Sequence, residues 1–136
     1  MPALPSDMTI GFIGTGVMGR SMAGHLLRAG FRLHIHNRTK EKAKPLIDAG
    51  AVWYESIAAL APTCDIIITI VGFPNDVQEV YLSPGGLVEN AKRGSVLIDM
   101  TTSRPDLAQT IYTKAKIRGI STLDAPVSGG DKGARE

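Results

Sequence analysis

Three glycines spaced as Gly14-x-Gly16-x-x-Gly19 are the residues of this chain best suited to hold a phosphate. The apolar run Met8 to Ile13 comes before them and reads as a buried strand, and an apolar helical pattern begins immediately after them. That setting turns an ordinary glycine triplet into a dinucleotide fingerprint. Gly14 would allow the tight turn, Gly16 would let the backbone approach a pyrophosphate, and Gly19 would let the new helix pack closely on the sheet. Unpaired N–H groups and the positive dipole end of the helix would face the phosphates.

A second group of residues bears on which dinucleotide the loop would take. NAD-binding units place an acidic residue about twenty positions past the glycines, where it accepts hydrogen bonds from the ribose hydroxyls. Here the corresponding place holds Asn37-Arg38-Thr39. A carboxylate there would repel a 2′-phosphate, whereas an amide, a guanidinium and a hydroxyl donate to it, and this points to NADP. Arg38 is the central residue, because its planar fork matches phosphate oxygens, with Lys40 as a distant contributor. The plainer alternative makes Arg38 a solvated surface arginine and Thr39 a cap for the next helix.

Positioning such residues requires strands that end together. Phe31 to His36 alternates apolar and polar residues with period two, so it reads as a second strand. Its histidines, His34 and His36, have no cysteine or carboxylate at ligand spacing, and no metal site is expected. Between the first two strands, a helix from about Val17 to Ala29 carries Met18, Met22 and Leu26 on one face, read as core packing. A third strand is expected over Ala51 to Tyr54, after a helix that Pro45 should keep short or kinked. Asp65 to Val71, Ser95 to Asp99 and Ile120 to Asp124 supply three more strands. Pro74 and Pro105 stand near the starts of intervening helices, and Ser56 can cap a brief one ending at Leu60. Six strands joined by helical crossovers predict an α/β, doubly wound Rossmann fold, with a six-stranded, mostly parallel sheet and helices on both faces. Ligands bind such sheets at the carboxyl ends of the strands. The interesting segments Gly14 to Gly19, Asn37 to Thr39, Val71 to Pro74, Met100 to Ser103 and Ala125 to Gly130 all fall there.

The totals agree with one domain. A chain of 136 residues can bury a real core, and 43% apolar with 21% charged residues is ordinary for a globular protein. A net charge of +2, with few aromatic residues, offers no footprint for nucleic acid. The single cysteine, Cys64, excludes an internal disulfide. The apolar runs are too short to span a bilayer, and Met1 to Asp7 lacks the features of a signal peptide and reads as a loose tail before the domain at residues 8–136. A cytoplasmic location is the default expectation.

The segments Gly11 to Gly19, Asn37-Arg38-Thr39, Asp99-Met100-Thr101-Thr102-Ser103-Arg104-Pro105 and Asp124-Ala125-Pro126-Val127-Ser128-Gly129-Gly130 together resemble the 3-hydroxyisobutyrate dehydrogenase family of β-hydroxyacid dehydrogenases. The resemblance runs from about residue 8 to the end of the chain. It implies that Thr15, Gly16, Val17 and Met18 meet the pyrophosphate and that Asn37, Arg38 and Thr39 meet the 2′-phosphoribose. Val71, Gly72, Phe73 and Pro74 would flank the adenosine ribose and the route to the nicotinamide, with Thr102 beside the nicotinamide end. Ser128, Gly129 and Gly130 would receive a small substrate carboxylate, since successive glycine N–H groups can converge on an anion; without the family, a flexible loop is the reading preferred there.

In that family a lysine on a long helix, in a Gly-x-x-Gly-x-x-x-Lys-like motif, acts as general acid/base while hydride passes to or from the nicotinamide. None of the lysines here matches that motif, and Lys132 lies in the preceding loop. The expectation is therefore the cofactor domain of an NADP-dependent dehydrogenase acting on a small 3-hydroxy acid or its semialdehyde, with no catalytic residue in this chain. The helical C-terminal domain that would complete the pocket and a homo-oligomer would lie outside it, and the isolated chain should be inactive. A non-catalytic nucleotide-binding or interaction module and a 6-phosphogluconate dehydrogenase-like enzyme are the competing readings. Hydroxyisobutyrate, glycerate, serine, succinic semialdehyde and glyoxylate all remain open as substrates.

Overall fold

A computed structural model of the chain describes residues 8–14, 17–71, 74–101 and 104–125. Short apolar stretches rich in β-branched residues become strands, and the amphipathic stretches between them become the crossovers. The order is β1 (Thr9–Ile13), α1 (Val17–Arg28), β2 (Arg32–His36), α2 (Lys40–Asp48), β3 (Val52–Trp53), α3 (Ile57–Leu60), β4 (Ile66–Thr69), α4 (Pro74–Leu82), α5 (Leu87–Asn90), β5 (Val96–Asp99), α6 (Pro105–Ile117) and β6 (Ser121–Asp124). The strands form one sheet in the order β3-β2-β1-β4-β5-β6, and every pairing in it is parallel. This is the doubly wound Rossmann arrangement expected from the sequence.

Alternate residues of β1 and β4 feed two cores, one on each face of the sheet. Ile10, Phe12, Leu33 and Ile35 pack with Ala23 of α1 and with Ala43 and Leu46 of α2. On the other face, Ile13, Ile67 and Leu97 pack with Leu60, with Val77 and Tyr81 of α4, and with Leu107, Ile111 and Ala115 of α6. β1 is buried along its whole length, which is why its sequence shows no polar alternation. Met22 and Leu26 pack against the first of these cores as the helical stripe implied.

The elements differ from the sequence reading in small ways. α2 runs through Pro45 without a break. Pro45 is on the exposed face, where the Glu41 carbonyl one turn earlier can be solvated. β4 is shorter than Asp65 to Val71, because Asp65 is occupied in holding strand ends together: its carboxylate accepts the Thr9 N–H at 2.9 Å and the Lys92 ammonium at 2.6 Å. These two donors hold the Asp65 carboxyl below its ordinary pKa, Lys92 having the larger effect. Ser56 caps α3 as expected, accepting the Ala59 N–H at 3.1 Å. Among the described residues no helix is long and apolar enough to cross a membrane.

Candidate functional site

The turn after β1 lies between the ends of β2 and β4. Gly14 has a φ of +95°, and its N–H donates to the His36 carbonyl at 3.2 Å. A Cβ on Gly14 would collide with the backbone oxygen of Ile70, so both the conformation and the space demand glycine. Gly19, in the first turn of α1, lies against the Gly14 carbonyl, which brings the helix start down onto the strand end. These are the two uses the sequence assigned to the first and third glycines of the triplet.

A cleft of about 760 Å³ opens over this turn, lined by Gly14, Gly19, Asn37, Arg38 and Val71 among the sequence candidates. Its size falls within the usual range for a cofactor site. The fold therefore gathers segments more than fifty residues apart in sequence into one depression at the carboxyl ends of the strands. Asn37 Nδ2 donates to the Thr39 carbonyl at 3.0 Å and so shapes the turn that presents Arg38. Thr39 occupies the position before α2 with extended backbone, but its side chain makes no capping bond and does not line the cleft.

Residues that the sequence reading did not select also face the cleft. Lys42 lines it, whereas the Lys40 ammonium stands 6.0 Å above the Trp53 ring. The two lysines are separated by about 200° around a helix, and only one can join Arg38. Helical periodicity, with Ala43 and Leu46 facing the core, was the signal that could have separated them. His36 is a lining residue held by its Nδ1–H, which donates to the Tyr54 carbonyl at 3.0 Å. Asp76, in the first turn of α4, lies on the opposite wall, together with Glu79 and the Ser83 to Gly86 turn.

The ends of β4 and β5 are joined beneath the cleft by a buried polar chain. Val71 N–H donates to Thr101 Oγ1 at 2.9 Å, Thr101 N–H to Asp99 Oδ1 at 3.0 Å, and Thr69 Oγ1 to the same carboxylate oxygen at 3.1 Å. The Tyr81 hydroxyl stands 2.9 Å from Thr69 Oγ1 and completes the chain. Burial pushes the Asp99 carboxyl above its ordinary pKa against the pull of the Thr101 and Thr69 donors, and Asp124 on the neighbouring strand adds to the rise. Burial likewise raises the Tyr81 phenol. Among the described residues no cluster of histidine, cysteine and carboxylate side chains could hold a metal ion.

Of the remaining sequence candidates, Val17 and Met18 begin α1 and Pro74 begins α4. Thr15, Gly16, Gly72, Phe73, Thr102, Ser128, Gly129 and Gly130 lie outside the described residues.

Compared with known protein families, residues 9–136 match the NAD binding domain of 6-phosphogluconate dehydrogenase. The chain belongs to that family. Proteins similar to this NAD(P)-binding domain include an uncharacterized oxidoreductase, YkwC, of Bacillus subtilis (strain 168), 54% identical over 127 residues, covering 93% of this chain and 44% of that protein. A probable 3-hydroxyisobutyrate dehydrogenase-like 1 protein, mitochondrial, of Arabidopsis thaliana is 50% identical over 132 residues, covering 96% of this chain and 40% of that one. Among solved structures, Psf3 in complex with NADP+ and 2-OPP superposes with a TM-score of 0.88 at 35% identity, over 93% of this chain and 45% of that one. The NAD(P)-binding domain thus spans less than half the length of these relatives. The resemblance to 3-hydroxyisobutyrate dehydrogenases drawn from four short motifs holds across the whole domain.

Proposed function

We propose that this domain binds NADP(H) in the cleft above β1, β2 and β4, and that it serves an oxidoreductase passing hydride between NADP(H) and a small 3-hydroxy acid or its semialdehyde. The observation that carries the choice of cofactor is the presence on the cleft wall of Arg38, after β2, where an NAD site would hold a carboxylate, and of Lys42 in α2. The Gly14 turn, which has no room for a Cβ, fits a pyrophosphate brought close to the backbone. The solved relative that holds NADP+ and the relative named as 3-hydroxyisobutyrate dehydrogenase-like support the same reading.

Each residue then has a task. The Gly14 to Gly19 turn and the start of α1 hold the pyrophosphate; Arg38 offers its planar fork to the 2′-phosphate and Lys42 a mobile ammonium. Asn37 shapes that end through its bond to the Thr39 carbonyl. Val71 to Pro74 flank the ribose, Thr102 stands by the nicotinamide end, and Ser128 to Gly130 receive the substrate carboxylate. A bound nicotinamide supplies or accepts the hydride. The general acid/base lysine of the family pattern has no counterpart among the lysines of this sequence, so the domain alone binds the dinucleotide and turns over little or nothing.

Titration of the domain with NADPH and with NADH, followed by nicotinamide fluorescence, tests the cofactor reading. Arg38→Ala should weaken NADPH binding about ten- to a hundredfold and leave NADH binding nearly unchanged. Equal losses for the two dinucleotides would overturn it.

A further inference from the structure

The guanidinium assigned to the 2′-phosphate already has a partner on the opposite wall. Arg38 Nη2 donates to Asp76 Oδ1 at 3.3 Å, joining the end of β2 to the first turn of α4. The two residues are 38 positions apart and line the same cleft. The arginine side chain is 79% exposed and the aspartate 26%, so the cation is free to reorient while the carboxylate is held by the helix that carries it. At this length the contact is looser than a good charge-assisted bond and uses one of five guanidinium donors. Arg38 can therefore turn another edge toward a ligand, but any phosphate it holds will share the space with the Asp76 carboxylate.

That juxtaposition acts differently on the two dinucleotides. A 2′-phosphate is repelled by the neighbouring carboxylate and must compete with it for the guanidinium. A 2′-hydroxyl is neutral and can donate to a carboxylate. The cleft contains further acidic groups, Glu55 and Glu79, against the two cations Arg38 and Lys42, so it is not an indiscriminate anion trap. Of these three acids, Asp76 is the one paired with Arg38.

We infer that Asp76 is a cofactor-discrimination residue: its carboxylate, paired with Arg38 across the cleft, limits the preference for the 2′-phosphorylated dinucleotide and keeps the unphosphorylated one competitive. The inference rests on the dinucleotide reading of the cleft given above. Removing the charge should raise the ratio of NADPH to NADH affinity about three- to tenfold at low salt, with the gain shrinking toward about 0.5 M salt as the repulsion is screened.

The test is a pair of variants, Asp76→Asn and Asp76→Ser, each titrated with NADPH and NADH beside the unaltered domain. A circular dichroism spectrum and a urea midpoint like those of the parent show that the variant is folded, and a salt-sensitive rise in the NADPH to NADH ratio in either folded variant supports the inference. A ratio that stays constant or falls, in a parent that binds both dinucleotides, overturns the role of Asp76 and leaves the cofactor site standing. A parent that binds neither dinucleotide overturns the site itself and the inference with it.

Discussion

The Val71 backbone N–H donates to Thr101 Oγ1 at 2.9 Å, which ties the segment leaving β4 to the segment leaving β5. Thr101 is in turn held by Asp99 through its own N–H, so both segments hang from one buried carboxylate. The end of β4, which borders the cleft, is thereby fixed to the end of β5 by side chains as well as by the sheet.

Thr101→Val keeps the shape of the side chain and removes the acceptor. The half-buried Val71 N–H is then left without its partner, and stability should fall by about 1–3 kcal/mol, read as a lower midpoint in urea unfolding. Thr101→Ser, which retains the hydroxyl, should recover most of the loss. Equal behaviour of the two variants would mean that packing of the methyl group, not the hydrogen bond, holds the segment.

Asp99 makes stability depend on pH in a direction set by its environment. Burial raises its pKa in the folded chain, so the folded state binds this proton more tightly than the unfolded state. The corresponding contribution is complete below the unfolded carboxylate value of about 3.9 and is lost as pH rises through the raised folded value. Asp99→Asn can still accept from Thr101 N–H and from Thr69 Oγ1 at Oδ1, while no longer titrating. Its urea midpoint relative to the parent should therefore climb as pH rises from the acid side. Parallel pH profiles for the two proteins would show that Asp99 is not the group responsible.

Gly14 and Gly30 separate two reasons for a glycine. Their φ angles are +95° and +94°, but a Cβ on Gly30 meets nothing within 4 Å whereas one on Gly14 strikes the Ile70 carbonyl. Gly30→Ala should cost about 1 kcal/mol, from backbone conformation alone. Gly14→Ala should cost clearly more in thermal unfolding and should also abolish dinucleotide binding. Similar costs at the two sites would show that the β1 turn can yield.

The strand order was legible because its causes act along the chain. Apolar runs of strand length separated by helical patterns permit few topologies once crossovers are right-handed, and the parallel sheet with Gly14 and Arg38 at its carboxyl edge followed from that. Arg38 and Lys40 were legible as basic residues after β2, but not which lysine faces the cleft with Arg38. Counting charges in sequence does not register that Lys42 turns to the cleft while Lys40 turns toward Trp53. Pro45 was expected to keep α2 short or kinked; on an exposed face its missing N–H leaves a carbonyl that water can reach, and the nine-residue α2 continues past it.

By itself, the sequence determined the doubly wound fold, the glycine turn at Gly14 and the cationic end of β2, since steric limits at glycine, apolar periodicity and residue charge are local properties. Only the tertiary structure decided that Asp76 stands against Arg38, that Thr101 receives Val71, and that Asp99 lies buried beneath both strand ends. Those pairings join residues 30 or more positions apart. Their partners are chosen by where the sheet order and the helix directions bring separate loops together, a property that no window of the chain contains.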